Sequence, residues 1–113
     1  MLTIYHNPRC GKSREGLQLI ENLNLPFTTI NYIKEPLTQN ELTALIKKLG
    51  IAPIDLVRTK EALWKEQYKD KNLTDDEILQ ALAQNPVLIE RPIVVNANKA
   101  VIARPAERIH EIL

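Results

Sequence analysis

The chain has 113 residues, 44% hydrophobic and 26% charged, a composition that excludes intrinsic disorder and suits one domain with a core of its own. Lys+Arg 15 against Asp+Glu 14 gives a net charge of +1, without the cationic surplus that a general nucleic-acid or membrane-surface binder needs. No apolar run approaches the roughly 18 residues of a membrane span, and residues 1–3 lead straight into a strand-like segment. A soluble, unexported, cytoplasmic protein is expected.

Residues 2–6 (LTIYH) are β-branched and aromatic, and predict a strand. Asn7-Pro8-Arg9-Cys10-Gly11 follows as a loop, because Pro8 has no N–H and keeps Asn7 out of the helical region. Leu17, Ile20 and Asn24 mark one helical row with Leu19 and Leu23 beside it, so a helix is predicted over 11–24. Pro26 stops it, and 27–33 (FTTINYI) predicts a second strand. Strand, helix, strand implies a parallel pair joined by a crossover.

Thr38-Gln39-Asn40-Glu41 has the form of a capping box, in which the Thr oxygen takes a free backbone N–H and the Glu reaches back. Leu42, Leu45, Ile46 and Leu49 continue it at i, i+3, i+4, i+7, and Gly50 supplies a stop. Thr74-Asp75-Asp76-Glu77 repeats the box before Ile78, Leu79 and Leu82, with Asn85-Pro86 as terminator. Shorter helical pieces are predicted over 54–58 and 60–68, where Trp64 and Tyr68 at i and i+4 read as helix packing. Segments 93–95 (IVV) and 100–103 (AVIA) flank Asn96-Ala97-Asn98-Lys99, whose asparagines tolerate turn conformations, and predict an antiparallel hairpin. A final helix is predicted over 105–113. The order is that of an α/β, thioredoxin-like fold, βαβ followed by ββα, with an inserted helical block over about residues 37–85. One domain spanning 1–113 is expected.

Cys10 is the only cysteine, so it has no disulfide partner within the chain, which suits a reducing compartment. With only His6 and His110 as histidines, no structural Cys/His zinc site can be assembled, and no metal is expected. Cys10 stands where a strand ends and a helix begins, at unpaired N–H groups and the positive end of the helix dipole. Arg9, Lys12 and Arg14 surround it in sequence, and no acid precedes Glu15 in this stretch. Each feature favours the thiolate, the nucleophilic form. Ser13 stands where a dithiol oxidoreductase carries its second cysteine, so Cys10 cannot be resolved within that motif. Gly16 stands where a phosphatase-type loop needs arginine. An anion attacked by Cys10 must be held by other arginines, and Arg58, Arg91 and Arg104 each lie at the edge of an element. Their forked donors suit tetrahedral oxyanions. Pro92 opens a strand where thioredoxin-like folds carry a cis proline, and is the cis-proline candidate. His6, at the end of the first strand, could hydrogen-bond in the loop or help activate the thiol.

The segment Tyr5-His6-Asn7-Pro8-Arg9-Cys10-Gly11-Lys12-Ser13-Arg14 resembles the active-site segment of the glutaredoxin-linked arsenate reductase family. Glu90-Arg91-Pro92-Ile93-Val94-Val95 is similar to that family's second signature, and Ala103-Arg104-Pro105-Ala106-Glu107 to its third. The resemblance implies that Cys10 is the nucleophile attacking arsenate, that Arg58, Arg91 and Arg104 bind the oxyanion, and that His6 and Ser13 help hold the thiolate. It implies no bound cofactor, glutathione as co-substrate and glutaredoxin as partner. In the implied cycle Cys10 forms a thiol–arsenate ester, glutathione attacks it, and glutaredoxin reduces the adduct to release arsenite. Two other functions compete. A related branch of the fold regulates RNA polymerase, commonly through a two-cysteine switch that Ser13 removes here. A glutathione-linked thiol oxidoreductase of another substrate would not need the three arginines.

Overall fold

The computed structural model describes residues 1–113. The chain divides into two compact units, one of residues 1–35 and 91–113, the other of residues 36–90.

The first unit holds a four-stranded sheet of order β2-β1-β3-β4, built from β1 (Leu2–His6), β2 (Phe27–Asn31), β3 (Ile93–Asn96) and β4 (Lys99–Ile102). β1 and β2 run parallel, joined through helix α1 (Gly11–Asn22), while β3 is antiparallel to both β1 and β4. Leu2, Ile4, Val94 and Val101 point from the sheet into a core completed by Ile20 of α1 and by Ile109 and Ile112 of the last helix. Leu17, Leu19, Leu23 and Phe27 pack against its margin. The alternation in β1, buried at Leu2, Ile4 and His6, places His6 on the core side.

Several boundaries differ from those predicted. Helix α1 ends at Asn22, capped by Leu23, and Asn24 takes φ 58°, a left-handed conformation that asparagine tolerates. β2 ends at Asn31 rather than 33, because the Asn31 side-chain oxygen accepts the Ile33 and Lys34 N–H groups and turns the chain. The last helix is a 3₁₀ helix, Ala106–Ile112. In the hairpin turn it is Ala97, not an asparagine, that takes positive φ, at 56°.

The second unit carries α2 (Gln39–Leu49), α3 (Ala62–Gln67) and α4 (Asp75–Gln84), with 3₁₀ turns at Pro53–Leu56 and Pro86–Leu88. Both capping boxes form: Thr38 accepts from Glu41 N–H and Thr74 from Glu77 N–H, and each glutamate accepts in return from its threonine's N–H. Gly50 closes α2 at φ 67°, where a side chain would be strained. Trp64 stacks on Tyr68 with ring centroids 5.3 Å apart. The unit is not wholly helical, since Val57 and Ile89 form an antiparallel bridge. No helix is long and apolar enough to cross a membrane.

Candidate active site

Sheet register determines which residues meet. Tyr5 pairs with Ile93 and Ile93 with Ile102, and Ala103 N–H continues the ladder by donating to Pro92 C=O at 2.9 Å. The end of β1, the approach to β3 and the exit from β4 therefore lie at one end of the sheet. Those three segments carry His6 and the Cys10 loop, Arg91 and Arg104.

The loop after β1 is a tight turn. Cys10 N–H donates to Asn7 C=O at 3.0 Å, and the Asn7 side-chain oxygen accepts the Arg9 N–H at 3.1 Å. Asn followed by Pro at the first two positions is what such a turn prefers. The turn delivers Cys10 as the N-cap of α1, in an extended conformation with φ −100° and ψ 124°. Its carbonyl accepts the Arg14 N–H, the first bond of the helix.

The Cys10 sulfur accepts a hydrogen bond from Arg91 Nε at 3.0 Å, across 81 residues of sequence. Burial alone would push the thiol up. The Ser13 N–H, the hydrogen bond and charge of Arg91, and the Lys12 N–H outweigh it and hold Cys10 below the ordinary thiol value. Neither amide makes a cap hydrogen bond of normal geometry to the sulfur, yet both favour the anion. This revises the electrostatic expectation from sequence. The Arg14 guanidinium is turned to Pro8 C=O at 3.1 Å, and the Lys12 ammonium faces Glu15 at 3.6 Å. The guanidinium that stabilises the thiolate is Arg91, not one of the neighbouring cations.

Behind the loop, His6 and Ser13 are buried, 6% and 0% exposed, and the Ser13 Oγ lies 2.6 Å from His6 Nδ1. Asn7 N–H also donates to that oxygen at 2.9 Å, which leaves the hydroxyl proton to be directed at Nδ1 of a neutral imidazole. Burial chiefly, and the charge of Arg14, hold His6 below its ordinary value against the opposing effect of the Ser13 hydrogen bond. The Ser13 side chain thus ties β1, the loop and α1 together, while its backbone N–H serves the sulfur. No sequence signal marks the Asn7 N–H as part of this network, because its partner Ser13 lies six residues on, across the loop.

The Arg91–Pro92 peptide bond is cis, and so is Arg104–Pro105. A Cβ on Gly16 would lie 2.8 Å from the Pro92 ring, so the bare Gly16 lets α1 approach that proline closely. A glycine inside a helical pattern is the one sequence signal for such an approach. Arg104 follows β4, one ladder position beyond the Ala103–Pro92 bond, and its guanidinium makes no ion pair or side-chain hydrogen bond. Arg58 belongs to the second unit. Its guanidinium faces Glu61 at 3.2 Å and donates to Val87 C=O at 3.2 Å, while its N–H donates to Leu88 C=O. The structure therefore brings Arg91 to Cys10 and Ser13 to His6. No group of three or more His, Cys, Asp or Glu side chains is placed to hold a metal ion.

An activated single thiolate with an arginine on its sulfur can attack an electrophilic centre bearing oxygens. The chain is 44% identical over 112 residues to an arsenate reductase of Haemophilus influenzae, covering 97% of each chain. It is 40% identical over 113 residues to an arsenate reductase of Escherichia coli, covering 99% of this chain and 80% of that one. The solved structure of an arsenate reductase from Vibrio cholerae superposes with a TM-score of 0.94 at 43% identity, covering 99% of this chain and 97% of the other. The sequence model of the ArsC family matches residues 5–112, and the chain belongs to that family.

Proposed function

We propose that this protein is an enzyme that reduces arsenate to arsenite, with Cys10 as nucleophile. The observation that carries the reading is the Cys10 sulfur at 3.0 Å from Arg91 Nε, since a guanidinium beside the sulfur favours the thiolate and offers a forked cation suited to an oxyanion. Arg91, Arg104 and Arg58 are assigned to the oxyanion. Arg104 supports this because it follows β4 at the same sheet end and no ion pair or side-chain hydrogen bond commits its guanidinium. His6 and Ser13 are assigned to holding the loop that presents the thiolate.

Attack by the thiolate on arsenic forms a sulfur–arsenic bond and releases one oxygen as water. Reduction then needs two electrons, and overall two thiols become one disulfide while arsenate becomes arsenite and water. The chain holds one cysteine, so the second thiol comes from solution. We assign glutathione as that co-substrate, with no resident cofactor, and glutaredoxin as the partner that recycles the Cys10–glutathione disulfide. A lone, activated cysteine suits the reducing cytoplasm, where we place the protein.

The test is a coupled assay containing glutathione, glutaredoxin and NADPH, scored for arsenate-dependent NADPH oxidation. Turnover should require both arsenate and glutathione. A single turnover without glutaredoxin should leave Cys10 carrying one glutathione by mass spectrometry. Sustained turnover with a reductant that offers no thiol would overturn the mechanism.

A further inference from the structure

Resting on the glutathione reading above, we propose that the groove between α1 and the C-terminal 3₁₀ helix is the seat of glutathione, with Glu107 and His110 gripping its γ-glutamyl head. The groove is broad and open to solvent, with a volume of about 910 Å³, room for a tripeptide to lie along it. Gly11 and Pro105 line it, and these are the residues that directly follow Cys10 and Arg104 in the chain. A ligand lying there can extend its thiol to the Cys10 sulfur while its remaining groups run along α1.

The charges in the groove match this ligand. Lys12 and Glu15 face each other and cancel. Arg14, bound only to a neutral carbonyl, remains as an uncompensated cation at the Cys10 end. The Glu107 carboxylate has no ion pair or hydrogen bond, although its helix neighbours Arg108 and Glu111 pair with each other at 3.2 Å. Glutathione at neutral pH carries a terminal carboxylate, and at its other end an ammonium and a carboxylate on one carbon. The terminal carboxylate meets Arg14 and the ammonium meets Glu107.

The helix type matters for the second carboxylate. In a 3₁₀ helix side chains at i and i+3 eclipse one another, so Glu107 and His110 stand in one line, and both face the groove. An acceptor and a donor aligned in this way match the paired ammonium and carboxylate of an α-amino acid head. A simple anion would have no use for Glu107, and an apolar ligand none for either residue.

The experiment combines kinetics with a binding measurement. Glu107→Gln should raise the KM for glutathione about fivefold, in the range of a partly screened ion pair, and leave the KM for arsenate unchanged. N-acetylglutathione, which lacks the ammonium, should be the poorer substrate for the wild type and no poorer than glutathione for Glu107→Gln. Glu111→Gln, on the same helix but paired with Arg108, is the control. Unreactive S-methylglutathione, added at millimolar concentration to the intact protein, should shift the amide resonances of Gln18, Glu107 and His110. If those resonances stay in place, or Glu107→Gln behaves like Glu111→Gln, the groove assignment is overturned even where turnover depends on glutathione. Turnover without any thiol would instead overturn the co-substrate reading, and the S-methylglutathione titration would still decide whether the groove takes the tripeptide.

Discussion

Helices α2 and α4 begin in one way and α1 in another. At Thr38 and Thr74 a hydroxyl takes one free N–H and a glutamate three residues on takes another, with acids throughout the first turn of α4. The amides and the dipole are consumed by structure, and the Thr74 backbone and hydroxyl hold the Glu77 carboxyl below its ordinary value. At Cys10 no side-chain cap bond forms and no acid stands in the first turn. The same physical resource, unpaired N–H groups at a positive helix end, is left for an anion that can react. A capping box closes a helix, whereas a thiolate cap leaves it chemically open.

The most severe way to break this comparison is to remove the reactive cap. Cys10→Ser should abolish arsenate turnover while leaving the circular dichroism spectrum and the capping boxes unchanged. Residual turnover above background would dissociate the chemistry from the helix start. Next in size is Arg91→Lys, which keeps the charge but loses the Nε donor on the sulfur. Turnover should drop about 10²–10³-fold, the usual effect of removing a donor aimed at developing charge, and the thiolate midpoint should rise. In the wild type the Cys10 pKa is depressed on folding, so its contribution to stability is present above the ordinary thiol value and is lost as pH falls through the lowered one. Absorbance of the thiolate against pH reads both proteins, and an unmoved midpoint in Arg91→Lys would show that Arg91 does not support the anion.

A smaller effect is expected behind the loop. Ser13→Ala strips the buried oxygen shared by His6 and Asn7, and should cost about 1–3 kcal/mol in denaturant unfolding by leaving buried polar groups unmatched. His6 adds a pH signature of its own. Its folded pKa is lowered, so the unfolded chain takes up a proton near pH 6.5 that the folded chain refuses, and stability declines as pH falls below about 6.5. His6→Gln should flatten that decline. Thr38→Ala should cost about 1 kcal/mol and leave turnover unchanged, which sharpens the contrast between a structural and a chemical cap. The smallest change is a gain: Ala97→Gly relieves the left-handed alanine of the hairpin turn and should stabilise by about 0.5 kcal/mol, read as a slight rise in Tm.

Local chemistry was sufficient to place most elements of this chain. Period-two and period-3.6 patterns identify β1, α1, α2 and α4, and the threonine–glutamate spacing marks two helix starts, because these signals depend on neighbours within a turn or a pleat. The Asn7–Pro8 turn and the position of Cys10 at a helix start are legible for the same reason. Segment ends that depend on one side chain folding back, such as Asn31 on the Ile33 and Lys34 N–H groups, were not, nor was the 3₁₀ character of the last helix.

The tertiary structure decided which cation meets the thiolate. Sequence proximity favours Arg9, Lys12 and Arg14, yet the guanidinium on the sulfur belongs to Arg91, on the approach to a strand antiparallel to β1. Sheet register converts a separation of 81 residues into one of 3.0 Å, while Arg14 and Lys12 are drawn away by Pro8 C=O and Glu15. Electrostatic pairing falls off with distance in space, and only the ladder of the folded sheet determines that distance.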